Sequence, residues 1–244
     1  MQFLFVFVIS IQVFGFVATK KLPNYITYCH RDDPQLNECV AKAIHQVKPH
    51  LAEGIPEFQL PSMNPLFLPE ASLESGENFK CTFKNIEVFY ADEFILKNVD
   101  IDLKNNRVEM VIVFPRLRIK SIYAVSGKLL ILQLDGSGPS DGNFTNVEAR
   151  MIMNGSRYTK NNKEYMNFDK NELKLNVGRP ILNFENLFGQ NEELNVQTNR
   201  IINENIEGII EELSPVLNKV ISEFIFGLIG RIFARFSLEE LFPK

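Results

Sequence analysis

The spacing of apolar residues divides the chain into three regimes. In the first, Leu36, Val40, Ala43, Ile44, Val47 and Leu51 recur at helical spacing behind Asp32, Asp33 and Pro34, where a carboxylate can cap free amides and proline suits the first turn. Pro49 distorts the end of this helix and Gly54 closes it. Residues 54–70 then carry four prolines, which predicts an extended or irregular connector held in place by Phe58, Leu60, Leu66 and Leu68.

From residue 80 to about 177 the period falls to two. Segments 82–90, 94–103, 107–114, 128–134 and 144–153 are rich in Val, Ile, Phe and Tyr, and are separated by turn residues such as Asn105-Asn106 and Asn154-Gly155. This predicts long antiparallel strands joined as a meander. Residues 129–132 are apolar on both faces, the pattern of a strand covered on two sides.

The third regime, starting near Asn199, is helical again. Ile202, Ile206, Ile209, Leu213, Val216, Val220, Phe224 and Leu228 form one stripe, and Ile210, Leu217, Ile221, Phe226, Ile229 and Ile232 fill neighbouring faces. Such a helix is too apolar for a surface. A membrane span is the alternative, but Glu223, Arg231 and Arg235 interrupt the run before it reaches about 20 residues. Pro215 is expected to kink or restart the helix. An apolar helix and a one-faced sheet must cover each other, so the pattern predicts an α+β fold in which an antiparallel sheet wraps a long C-terminal helix.

The first residues change the compartment in which the rest is read. Residues 3–17 are almost unbroken apolar sequence, too short for a comfortable span, followed by Ala18, Lys20 and Lys21. Residues 1–18 therefore read as a signal peptide and 19–244 as one domain, with secretion to the extracellular space as the consequence; an uncleaved anchor is the alternative. In an oxidising compartment Cys29 and Cys39 are expected to form a disulfide, leaving Cys81 as a small buried hydrophobe. Two N-glycosylation triplets fit export, at Asn143 and Asn154, and both are expected to face solvent. A net charge of −4 without a basic block argues against a nucleic-acid partner.

Catalytic chemistry finds little support. Gly138-Pro139-Ser140-Asp141-Gly142 matches the G-x-S-x-G pattern of a nucleophile elbow, but a strand rather than a helix should follow it, and all three histidines, His30, His45 and His50, precede the serine. A glycine turn between strands is the expected structure. The same glycines lack the lysine and helix of a phosphate cradle. The histidines and cysteines do not fall at metal-ligand spacing, so no metal or cofactor is expected. Glu204, Glu207, Glu211 and Glu212 read as the solvated end of the long helix. What remains is apolar surface, with 21 phenylalanines, 6 tyrosines and no tryptophan.

Several strings together resemble the takeout and juvenile-hormone-binding-protein family of insects. They are YCHRDDPQLNECV around Cys29 and Cys39, the connector GIPEFQLPSMNPLFLP, the pair IYAVSGKLLILQLDGSG, NLFGQNEELN, IINENIEGIIEELSPVL, and IFARFSLEELFP at the end. The resemblance covers nearly all of residues 19–244, in order. It implies a TULIP-like super-roll with an internal hydrophobic tunnel, and a secreted carrier, not an enzyme, that holds a juvenile-hormone-like, other terpenoid or fatty acyl ligand. It also implies roles in circadian, feeding or chemosensory physiology. The chain departs from moth haemolymph carriers, which have a second disulfide.

On that reading Phe114, Leu117, Leu130, Leu132, Leu213, Leu217, Ile221 and Phe224 are the expected tunnel wall, and Tyr123 the expected polar anchor for the ligand. The partner is a small hydrophobic ligand, with no stable membrane insertion. A second hypothesis is an interaction protein that docks transiently on a membrane or a receptor and carries nothing.

Overall fold

A computed structural model describes residues 22–76, 79–130, 132–189 and 191–244. The signal-peptide reading of residues 1–18 lies outside the described residues. The elements in chain order are α1 (Leu36–Val47), β1 (Leu66–Ser75), β2 (Phe79–Phe89), β3 (Ile95–Asp102), β4 (Arg107–Leu129), β5 (Leu132–Lys160), β6 (Lys163–Asn176), β7 (Ile181–Phe184), α2 (Glu192–Glu204), α3 (Ile206–Arg235) and α4 (Leu238–Leu241).

All seven strands belong to one antiparallel sheet in the order β1-β2-β4-β5-β6, with β3 added to β4 and β7 to β5. The sheet is rolled rather than closed, and α3 packs against it, touching both β1 and β6 at the two ends of the strand order. The expected helix-in-sheet architecture is present.

Two strands of 23 and 29 residues carry the roll, several times the usual strand length of about 5–6. Their curvature has a local cause. In the first half of β4, Met110, Ile112 and Phe114 face the core; in the second half, Tyr123, Val125 and Leu129 do, so the inward parity changes from even to odd. Between the halves, Pro115 and Asn146 stand opposite each other, flanked by the pairs Phe114–Val147 and Arg116–Thr145. Pro115 has no N–H for the ladder, and Asn146 is left-handed with φ 51°. Both strands invert their pleat together, so the pairing register survives. In β2 the same change is made by a bulge: Lys84 pairs with Ile122 and Glu87 with Lys120, with Asn85 at φ 52° in the extra residue.

The long strands also correct several expectations. Segment 128–134 is not one strand covered on both sides but the turn of the β4–β5 hairpin, with Leu129–Leu132 as its last pair and Leu130 at φ 54°. The glycine stretch 136–142 is not a turn but part of β5, because a neighbouring segment crosses it closely. A Cβ on Gly136 would lie 2.5 Å from the Leu187 carbonyl oxygen, and one on Gly138 would lie 2.5 Å from that of Glu185. Asn154-Gly155 is a register shift within β5, and the hairpin tip falls instead at Asn161-Asn162, both left-handed. At the other end, the last residues of the proline-rich connector join β1, an edge strand that tolerates Pro69.

The helices differ from expectation at their starts. The C-terminal helical region begins at Glu192, not Asn199, and it breaks at Asn205, where φ −105° and ψ 17° leave the helical well. α3 neither ends nor restarts at Pro215, which lies inside it. At the N-terminal end Cys29 and Cys39 are bonded, and the Asp33 carboxylate accepts the Gln35 N–H at 2.8 Å. Asn37 on α1 accepts the N–H of Ile101, covering part of the β3 edge. α4 starts with a capping box in which the Ser237 hydroxyl accepts from the Glu240 N–H and the Glu240 carboxylate from the Ser237 N–H.

Candidate functional site

The middle of α3 is where apolar character and burial part company. Ile206, Ile209, Leu213 and Leu228 are buried, but between Leu213 and Leu228 every apolar side chain is only half-buried: Val216, Leu217, Val220, Ile221, Phe224, Ile225 and Phe226. Leu213, Val216, Leu217 and Val220 pack with Phe79, Tyr123, Val125 and Leu134 from β2, β4 and β5. One turn on, Ile221, Ile225 and Phe226 pack with Ile112, Phe114, Met151 and Leu173 from the other halves of the strands. The pleat inversion at Pro115 and Asn146 lets one continuous helix meet even-numbered side chains at one end and odd-numbered ones at the other.

The nine expected ligand-site residues fall into three groups. Tyr123, Leu132, Leu213 and Leu217 meet in the first cluster, and Phe114 and Ile221 in the second. Phe224 is half-buried on the same helix, and Leu117 is half-buried on β4 opposite Phe144. Leu130 is 41% exposed in the hairpin turn, where it approaches Gly208 at the start of α3.

Tyr123 is 1% exposed, and its hydroxyl donates to the Glu185 carbonyl oxygen at 2.7 Å. Its ring meets Phe184 edge-on, with centroids 5.0 Å apart. Burial, then the neighbouring Cys81 and Glu185, push its hydroxyl up to about 12. It holds the 184–187 segment over the glycines of β5. Burial alone pushes the Cys81 thiol up to about 12, so it stays protonated and inert at neutral pH.

A feature missed by sequence reasoning holds the same segment from the other side. Asn203 accepts the Leu182 N–H at 2.8 Å and donates to its carbonyl at 2.7 Å; Asn199 does the same for Phe184, at 2.8 Å both ways. Asn195 accepts from the Phe188 N–H and donates to the Gly189 carbonyl. Four residues of helix rise about 6 Å and two residues of strand about 6.6 Å, so asparagines at i, i+4 match alternate strand residues. The side-chain amides of α2 act as a surrogate strand along β7. The signal was present as Asn191, Asn195, Asn199 and Asn203 at a strict period of four.

Nothing in this arrangement resembles a hydrolase centre. Ser140 lies mid-strand, its hydroxyl 2.7 Å from that of Ser121. His30 contacts the Lys244 carbonyl oxygen, and His50 stacks on Tyr25. A cleft of about 440 Å³ lies around Phe67, Glu87, Lys120, Ile122 and Asp141, and shares no residue with the α3 face. Its Asp141 carboxylate is taken up by an ion pair: Arg118 forks onto it and holds it below the usual range. Among the described residues, no helix is long and apolar enough to cross a membrane.

A rolled antiparallel sheet around an incompletely covered apolar helix defines a protein built to enclose apolar matter. The chain belongs to the haemolymph juvenile hormone binding protein family, whose model matches residues 3–243. This is a family of ligand-binding carriers rather than enzymes. The circadian clock-controlled protein daywake of Drosophila melanogaster is 22% identical over 197 residues, covering 76% of this chain and 75% of that one. A protein of Schistocerca gregaria described as a putative beta-carotene-binding protein is 20% identical over 159 residues, 64% of either chain. Takeout 1 of Epiphyas postvittana superposes with a TM-score of 0.77 at 21% identity, over 90% of this chain and all of that one, a likeness of fold.

Proposed function

We propose that this chain is a secreted carrier that encloses one small lipophilic molecule, terpenoid or fatty acyl, against the middle of α3. The observation that carries the reading is the run of half-buried apolar side chains between Leu213 and Leu228. A core of ordinary packing would bury such residues. A hydrocarbon laid along them would complete the burial that the sheet leaves unfinished. In this reading Phe114, Leu117, Leu132, Leu217, Ile221 and Phe224 form the wall, Leu213 and Tyr123 support it from behind, and Leu130 stands at the rim. The daywake likeness supports a clock-linked physiology. The Cys29–Cys39 bond supports export.

Burying ~350 Å² of ligand surface at ~25 cal/mol per Å² contributes roughly 9 kcal/mol, from which association subtracts at least ~4 kcal/mol. Micromolar affinity therefore follows only from near-complete enclosure. Leu217→Asp should abolish uptake of a fluorescent lipid probe while the circular dichroism spectrum stays near wild type. Undiminished uptake would overturn this placement of the site.

A further inference from the structure

We propose that Asn143 carries an N-linked oligosaccharide that covers Ile181, while the second triplet at Asn154 stays bare. The proposal rests on the export reading above. An N-linked sugar is bulky and solvated, so the secreted protein can keep one only where the folded chain leaves room for it. Asn143 and Thr145 are both exposed on β5. Asn143 stands in one cross-sheet row between Arg118 of β4 and Ile181 of β7. Paired residues of antiparallel strands point to the same face with Cβ atoms about 5 Å apart, so a sugar on Asn143 begins beside the Ile181 side chain. At 66% exposure, Ile181 is the most exposed of the large hydrophobic residues among those described.

Asn154 is the less open of the two. It is half-buried, and the Nδ2 atom that would bear the sugar donates to the Lys170 carbonyl oxygen. Both asparagines are expected to face solvent; Asn143 is exposed and Asn154 half-buried. In the transfer, Asn143 Nδ2 attacks the anomeric carbon of an oligosaccharide carried on a polyprenyl diphosphate. A C–N bond forms, the C–O bond to the diphosphate breaks, and Nδ2 gives up one proton.

The test is to secrete the full chain from cultured insect cells and compare intact masses before and after peptide N-glycosidase. The expected result is one glycosidase-sensitive glycan, lost in Asn143→Gln and in Thr145→Ala but retained in Asn154→Gln. Asn143→Gln should also aggregate more readily, and Ile181→Thr in that background should reverse the change. A glycan on Asn154, or a secreted chain without any glycan, overturns the proposal and leaves the carrier reading intact. Aggregation unchanged by loss of the glycan overturns the shielding of Ile181. A chain retained in the cells takes down the export reading and the sugar with it.

Discussion

Helices α2 and α3 are neighbours in sequence, separated by Asn205, but they are held by opposite means. α2 is fastened by directional bonds: Asn195, Asn199 and Asn203 spend both ends of their amides on the backbone of the 182–189 segment. α3 is held in its middle by apolar contact, with no register of donors and acceptors to satisfy. A hydrogen-bonded zipper has one geometry and fails when a partner is lost, whereas an apolar contact is non-directional and tolerates rearrangement. The difference places rigidity at one end of the molecule and leaves the adaptable surface where the proposed guest lies.

The contrast breaks most sharply at Asn199. Asn199→Leu keeps the volume but leaves the Phe184 N–H and carbonyl without partners, and the expected loss is about 2–3 kcal/mol, read as a fall in the urea midpoint. Asn199→Asp retains the acceptor and should lose less. If Asn199→Leu leaves the midpoint unmoved, the surrogate-strand account is wrong. By comparison, Ile221→Val or Ile225→Val in α3 should cost about 1 kcal/mol or less, since these side chains are half-buried to begin with. Their effect should appear in probe affinity instead. A stability loss as large as that of Asn199→Leu would mean that the middle of α3 is an ordinary solid core.

The architecture was legible because its signals are long. A period of two across roughly a hundred residues and an all-round apolar helix after it leave few arrangements in which both are covered. What misled was local. Gly136, Gly138 and Gly142 look like turn residues, and only the crossing of residues 185–187 above them explains glycine within a strand. Leu129 to Leu132 looks like a doubly covered strand because a hairpin end can be apolar where it meets a helix, as Leu130 does at Gly208. Periodicity is silent on contacts distant in sequence, so Tyr123 reads as the polar anchor for a ligand with no sign that the Glu185 carbonyl takes its hydroxyl. Of the candidate wall, Leu213 and Phe224 were readable from the α3 stripe, and Leu217 and Ile221 from the apolar faces beside it. The strand positions depended on a parity that inverts at Pro115 and Asn146, which alternation alone cannot locate.

The outer face tests a third kind of fastening and should give the smallest effect. Arg118 forks onto Asp141 with contacts of 2.5–3.2 Å, yet both side chains keep a substantial share of their exposure. Water and salt screen such a pair, so it contributes far less than a fully enclosed one. The Arg118 guanidinium holds the folded Asp141 carboxyl below its ordinary value, which the unfolded chain regains. The contribution is therefore complete above the ordinary aspartate range near pH 4 and is lost as pH falls through the depressed folded value. Asp141→Asn should lower the urea midpoint slightly at pH 7, less at 0.5 M salt, and not at all near pH 2. A difference that persists in acid would mean that Asp141 acts through packing in the row it shares with Lys120 and Asn183, rather than through its charge.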